Sequence, residues 1–325
     1  MLNKWNAAIE KRMAFVTPTC LILGVLFPEI AGKGVPLVPV MFAVMTFIGA
    51  LKSSFRDIGA VFKHPFPLLL SIFILHVVMP AAACGLGHLL FRDNVEMITG
   101  MVLEFAVPTA VVGVMWVSIY KGNNSMILSL VVIDTVLAPF VIPATLHILI
   151  GAKVEMNTAE MMQELVFMIA LPAVAAMCLN QFSHGKVKET WPPRLAFFSK
   201  LCLIFVVTSN SSKVSSYVRH LTWERVMAAL GILFLAAFGY MLGWLMAHVL
   251  KMGRENAVSV MYGAGMRNIS AGAVIATAYF PGEALFPVMI GTLFQQVLAA
   301  SFGAWISRAK KENKGQKMIE RNSEA

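Results

Sequence analysis

Charge is what this chain has least of. Only 13% of its 325 residues are Asp, Glu, Lys or Arg, against about a quarter in ordinary soluble domains. With 58% hydrophobic residues and a mean hydropathy of +0.75, too little polar sequence remains to surface a soluble domain. An all-α integral membrane protein is expected. Cysteine is also sparse: Cys20, Cys84, Cys178 and Cys202 fall singly in apolar stretches, without CxxC spacing, and are read as core residues. The chain lacks GxSxG, HExxH and P-loop signatures and any Cys/His ligand spacing. No enzyme chemistry, metal site or cofactor is therefore expected. The net charge of +9 gathers on no aromatic-studded face, which argues against nucleic acid as a partner.

What is present is a succession of apolar runs. About 20 such residues cross a bilayer, and the sequence offers ten spans, near 13–31, 36–51, 66–91, 96–120, 124–151, 158–182, 194–212, 224–250, 256–280 and 284–307. If both termini are cytoplasmic, that side holds Lys4, Lys11, Arg12, Lys52, Lys186, Lys188 and the tail cations, while the other holds only Lys33, Arg92, Lys153, Lys213, Arg219 and Arg225. This asymmetry obeys the positive-inside rule and points to a multi-pass protein of the cell (inner) membrane. The polar start Met1–Arg12 is not a cleavable signal by pattern. The chain is divided into residues 1–182 (spans 1–5 plus span 6), a cytoplasmic linker at 183–194, the remaining spans at 195–309 and a polar, frayed cytoplasmic tail at 310–325.

Two apolar segments are interrupted at matching places. One is broken around Pro108 and Gly113, the other at Gly263-Ala264-Gly265-Met266-Arg267-Asn268. Broken backbone at membrane depth is tolerated only where protein or a water-filled cavity supplies partners. With five spans per half, the second half inserts inverted relative to the first, and the breaks become equivalent by a pseudo-two-fold axis. The expected architecture is ten transmembrane helices as two inverted five-helix repeats, with two discontinuous helices.

Ionisable groups inside spans are costly, by roughly 2.5–3.5 kcal/mol on insertion scales. Arg267 offers five fixed donors at the second break, suited to an anionic substrate group beside the Asn268 amide. The alternative is an internal ion pair with Asp134 or Glu104. Those two carboxyls are candidate proton carriers or permanent counter-charges, since burial penalises their ionised form and a nearby guanidinium favours it. His76 is read as a hydrogen-bonded interior histidine or a proton relay. Lys200, near the start of the seventh span, can snorkel to the interface and receives no role. Thr208-Ser209-Asn210-Ser211-Ser212 reads as an exposed helix end or the lining of an outer vestibule. Gln295 and Gln296 read as interhelical glue.

Phe62-Lys63-His64-Pro65, Val78-Met79-Pro80, Gly122-Asn123 and Gly265-Met266-Arg267-Asn268 occur in an order that resembles the bile acid:sodium symporter family over nearly the whole chain. The resemblance implies ten helices, a core and a panel domain, and two discontinuous helices crossing at substrate and sodium sites. It also shows departures. Relatives place polar residues after the proline of the first broken helix, where this chain has Thr109-Ala110-Val111-Val112-Gly113-Val114. Hydroxyl positions of the next helix appear as Ile127 and Val131, a third-span glutamine as Leu75, and a Glu-x-Gly-Met-Gln-Asn pattern as Gly263 to Asn268. An acidic ligand is thus missing, and a cation stands where a neutral amide would be.

The reading that follows is a secondary transporter of a small or amphipathic organic anion, working by alternating access without the family's two sodium sites. The substrate-binding candidates are Arg267, Asn268, Pro108 and Gly113. Those for proton coupling or counter-charge are Asp134, Glu104 and His76. The lipid bilayer is the other partner. Sodium-coupled symport of a bile acid-like anion and a non-transporting membrane sensor are the alternatives.

Overall fold

The structure, a computed structural model, describes residues 13–55, 59, 65–92, 94–151, 157–280 and 282–323, with side chains from Phe15 to Arg308. Met1–Arg12 and the Phe62-Lys63-His64 part of the family-like motif lie outside the described residues. Among the described residues every regular element is helical. The main helices in chain order are α1 (Met13–Leu26), α2 (Pro28–Ala50), α3 (Phe66–Phe91), α4 (Val95–Ala106), α5 (Gly113–Ile119), α6 (Asn124–Leu149), α7 (Thr158–Phe182), α8 (Lys186–Lys213), α9 (Trp223–Val249), α10 (Arg254–Gly265), α11 (Ile269–Tyr279) and α12 (Gly282–Ser323), with a short helical turn at Ser215–Arg219 between α8 and α9. Seven of them are long and apolar enough to cross a membrane. Large apolar side chains face outward, as with Phe15 at 77%, Ile148 at 77% and Phe182 at 80% exposure. Water would penalise such a surface and lipid does not. The protein is an all-α integral membrane protein.

Asparagine and threonine start the helices by capping. The Asn94, Asn123, Asn157 and Asn268 side chains accept from backbone N–H groups three residues on, and so does Thr222, satisfying donors that a helix start leaves open. Proline shapes the interiors. In α3 a π turn at Ile74–Val78 precedes Pro80, and in α7 one at Val166–Ala170 precedes Pro172. A proline removes one donor and crowds the carbonyl four residues back, and a wide turn accommodates both. His76 sits in the first of these turns.

Helices α1, α2, α7 and α8 pack together as one body, and α3–α6 with α9–α12 as another, with α6 also packed closely along α7 where the two join. Glycine makes the close approaches. A Cβ at Gly239 or Gly243 of α9 would lie 3.1 or 2.8 Å from the Ala264 and Val260 carbonyls of α10, a small-xxx-small contact. A Cβ at Gly100 of α4 would lie 2.2 Å from the Ala284 carbonyl oxygen of α12. Backbone cannot step aside as a side chain can, so Gly100→Ala is expected to cost about 1–3 kcal/mol. A thermal unfolding midpoint in detergent equal to that of the parent would refute this contact.

Four sequence expectations need adjusting. The break between the first two spans falls at Phe27, and 32–37 is a short 3₁₀ turn within α2. Helix α8 starts at Lys186 and carries Pro192 and Pro193, leaving only Ser183–Gly185 of the 183–194 stretch outside a helix. Helix α12 runs on to Ser323. Nor is the Thr208–Ser212 cluster an exposed end: Ser209, Asn210 and Ser211 are buried. Small residues on α1 and α2 explain it, since a Cβ at Gly24 would meet Thr208 O at 2.3 Å and one at Gly34 would meet Ser209 Oγ at 2.4 Å.

Candidate functional site

The two interruptions meet. Helix α4 ends at Ala106 and α5 begins at Gly113; α10 ends at Gly265 and α11 begins at Ile269. The extended residues between them pair antiparallel through Thr109 and Arg267. Asn268 N–H donates to Pro108 O at 2.7 Å and Ala110 N–H to Met266 O at 3.3 Å. Each break thus supplies partners that the other lost, which makes irregular backbone tolerable at this depth.

Side chains complete that accounting. Asp134 of α6, 0% exposed, accepts from Thr109 N–H through Oδ2 at 2.6 Å. Its other oxygen lies 2.5 Å from His76 Nε2. Thr109 Oγ1 donates to Gly263 O at 3.0 Å, and Gln295 Oε1 accepts from Arg267 N–H at 2.8 Å. One helix further round, Gln296 Oε1 accepts from Trp116 Nε1 at 3.2 Å. Gln296 thus joins α12 to α5, and Gln295 joins α12 to the second break. Thr109 was not singled out from sequence, because its role depends on a partner 25 residues away in α6.

Arg267 is 2% exposed. Its guanidinium lies 5.6 Å over the Phe105 ring, and none of its three nitrogens has a hydrogen-bond partner among the described residues. Asp134, Glu104 and Tyr240 act on it electrostatically, yet no ion pair closes with either carboxylate. The carboxylate Oε2 of Glu104 and the Tyr240 hydroxyl are likewise buried without partners. A buried cation surrounded by unmade hydrogen bonds is a costly arrangement. It is offset here only by the field of the nearby carboxylates and by the aromatic faces.

A cavity of about 700 Å³ lies between the two bodies. From one body it is lined by α2, by Lys52 just beyond it, and by α8 with Lys188 and Lys200; from the other by Ala110–Val112, Asn268–Ser270, Thr292, Gln295 and Gln296. Arg267 and Asn268 border it, whereas Pro108, Gly113, Glu104, Asp134 and His76 do not. Phe105 and Tyr240 are absent from its wall too, so the guanidinium sits behind the break, on the side away from the cavity. Residues at the starts of α5 and α11, Val112 and Val114 in the first case and Ile269 and Ser270 in the second, line the cavity.

The sequence model of the SBF-like CPA transporter family matches residues 11–308. The chain is similar to the uncharacterized protein YbaS of Bacillus subtilis, at 39% identity over 91% of this chain and 97% of that one. It is 21% identical to the uncharacterized sodium-dependent transporter YocS of the same organism, over 91% of each chain. It is 22% identical to the probable sodium/metabolite cotransporter BASS1, chloroplastic, of Arabidopsis thaliana, over 92% of this chain and 74% of that one. Paired helix breaks around a cavity between two helical bodies, with the family's pattern running the length of the chain, make this protein a membrane transporter that belongs to the SBF-like CPA transporter family, within the bile acid:sodium symporter class.

Proposed function

We propose that the protein is a secondary transporter of a small or amphipathic organic anion, working by alternating access with a fixed internal cation in place of bound sodium. The single observation that carries this reading is Arg267: a fully buried guanidinium, behind the crossing of the two breaks, with no hydrogen-bond partner among the described residues. It supplies positive potential at the crossing without any ion having to bind. A sodium ion close by would be repelled by about 1–4 kcal/mol at 4 Å, depending on the effective dielectric.

The packing around the family's sodium positions supports this. Leu75, Ile127 and Val131 are buried apolar residues. A Cβ at Gly263 would meet Leu130 Cδ2 at 2.6 Å and Ile127 Cδ1 at 3.5 Å, so hydrocarbon fills the space where an acidic ligand would project. The architecture in this reading is ten spans in two inverted five-helix repeats, with α4/α5 and α10/α11 as the fourth span of each. Both termini and the Lys52/Lys188 end of the cavity lie in the cytoplasm. Asp134 and His76 hold the first break, and Glu104 is the counter-charge to Arg267. Coupling is to protons or to exchange of one anion for another.

The names of two relatives favour a second reading, sodium-coupled uptake of an organic anion. Uptake of radiolabelled cholate, pantoate and pyruvate into proteoliposomes under separate sodium and proton gradients distinguishes the two. Uptake that does not respond to sodium is expected. Sodium-stimulated uptake that is lost on Asn268→Ala would overturn the sodium-free reading.

A further inference from the structure

Sequence position places Lys200 near the start of the seventh span; the structure adds that it lines the cavity. Helix α8 has 28 residues, from Lys186 to Lys213, and Lys200 stands at its centre. Such a helix is about 42 Å long, and Lys200 lies six residues, about 9 Å of helix, beyond Arg194, the last charged residue before it. An intramembrane cation there calls for an account in terms of function.

Its surroundings supply one. Lys188, Pro192, Ala196, Lys200, Leu203 and Val207 all line the cavity, and their steps of three and four residues make one face of α8. A hydrogen bond fixes how α8 sits against the other body: Thr277 Oγ1 of α11 donates to Asn210 Oδ1 of α8 at 3.4 Å. Helices α8 and α11 run in the same direction, because α9 returns between them. Thr277 is nine residues beyond Asn268, about 14 Å of helix. Nine residues back from Asn210 is Leu201, so Lys200 stands level with Asn268, across the cavity from it. The other wall carries Asn268 and Ser270 at the start of α11, with Thr292 and Gln295 of α12.

We propose that Lys200 is the cavity-facing cation of the anion site, taking the substrate's carboxylate or sulfonate from the α8 body while the start of α11 holds it from the other. This rests on the organic-anion reading above and assigns its direct charge contact to Lys200, with Arg267 contributing potential from behind the break. An ammonium has three donors, so it reaches an anion while keeping a contact elsewhere. The bound anion then spans the two bodies at the level where they must move past one another. Closure of the bodies is thereby tied to an occupied site.

The test reads the charge of the cavity and needs no knowledge of the natural cargo. In the full chain, with Cys20, Cys84, Cys178 and Cys202 replaced by serine, Ser270→Cys places a thiol in the cavity wall. Its modification rates are measured with an anionic methanethiosulfonate (the sulfonatoethyl reagent) and a cationic one (the trimethylammonioethyl reagent). The anionic reagent is expected to be favoured. Lys200→Gln is expected to lower the anionic-to-cationic rate ratio by at least about fivefold, Lys200→Arg to preserve it, and Arg267→Gln to lower it less than Lys200→Gln. A ratio that favours the anion but is indifferent to Lys200→Gln, or falls further with Arg267→Gln, overturns the role of Lys200 and leaves the anion site standing. A parent ratio that does not favour the anion, or a thiol that neither reagent reaches, overturns the organic-anion reading and this one with it.

Discussion

Asp134→Ala is expected to destabilise the protein by about 3–5 kcal/mol, the range for removing one partner of a buried charged pair, and to abolish transport. The side chain serves two groups at once. Without it the Thr109 N–H, freed from helix by the first break, is left in a dry interior, and His76 loses the partner at its Nε2. The bridge between Thr109 and Arg267 then hangs from the second break alone. Asp134→Asn separates the two duties. Its amide oxygen still accepts from Thr109 N–H and its amino group donates to a neutral imidazole, so the cost is expected to fall to about 1–2 kcal/mol. Unfolding in detergent followed by tryptophan fluorescence, alongside proteoliposome uptake, measures both. Parental stability in Asp134→Ala would mean that the carboxylate does not organise the break.

The second large effect is expected at Arg267. Arg267→Ala should reduce transport by about a hundredfold, the equivalent of roughly 3 kcal/mol, because the crossing loses its fixed positive charge. Glu104 then remains in the interior, 3% exposed, with Oε2 unpartnered. Its carboxylate also sits where α12 gives no room to move: a Cβ at Gly291 would lie 2.3 Å from Oε1. The sharper outcome is therefore in the double variant. Glu104→Gln removes the stranded charge, so Arg267→Ala with Glu104→Gln is expected to be more stable than Arg267→Ala alone, by a coupling of about 0.5–3 kcal/mol. Transport is not expected to return with it. Simply additive losses would mean that the two residues do not sense each other, and the counter-charge assignment would fall.

Much of this site is legible in one dimension, for identifiable reasons. Pro108 and the Gly263–Asn268 run announce themselves because proline and glycine are the residues that interrupt membrane helices. Arg267, Asp134, Glu104 and His76 stand out because charge within an apolar run is rare. What each does was less legible. Asp134 and Arg267 looked equally suited to pairing with one another, yet the carboxylate is committed to backbone and to His76. The start of α8 was less legible too, since Pro192 and Pro193 suggest a linker where α8 is continuous helix. Helix boundaries around proline are decided by neighbours that pack against the chain, and local sequence does not name those neighbours.

Membrane insertion, helix class and the existence of two interruptions follow from hydropathy and from proline and glycine placement, which are local properties of covalent sequence. The meeting of the breaks at Thr109 and Arg267, the burial of the guanidinium, and the place of Lys200 on the cavity wall are long-range facts. They depend on how glycine-lined helices approach and on which register the bodies adopt, and such contacts exist only once the chain has folded upon itself.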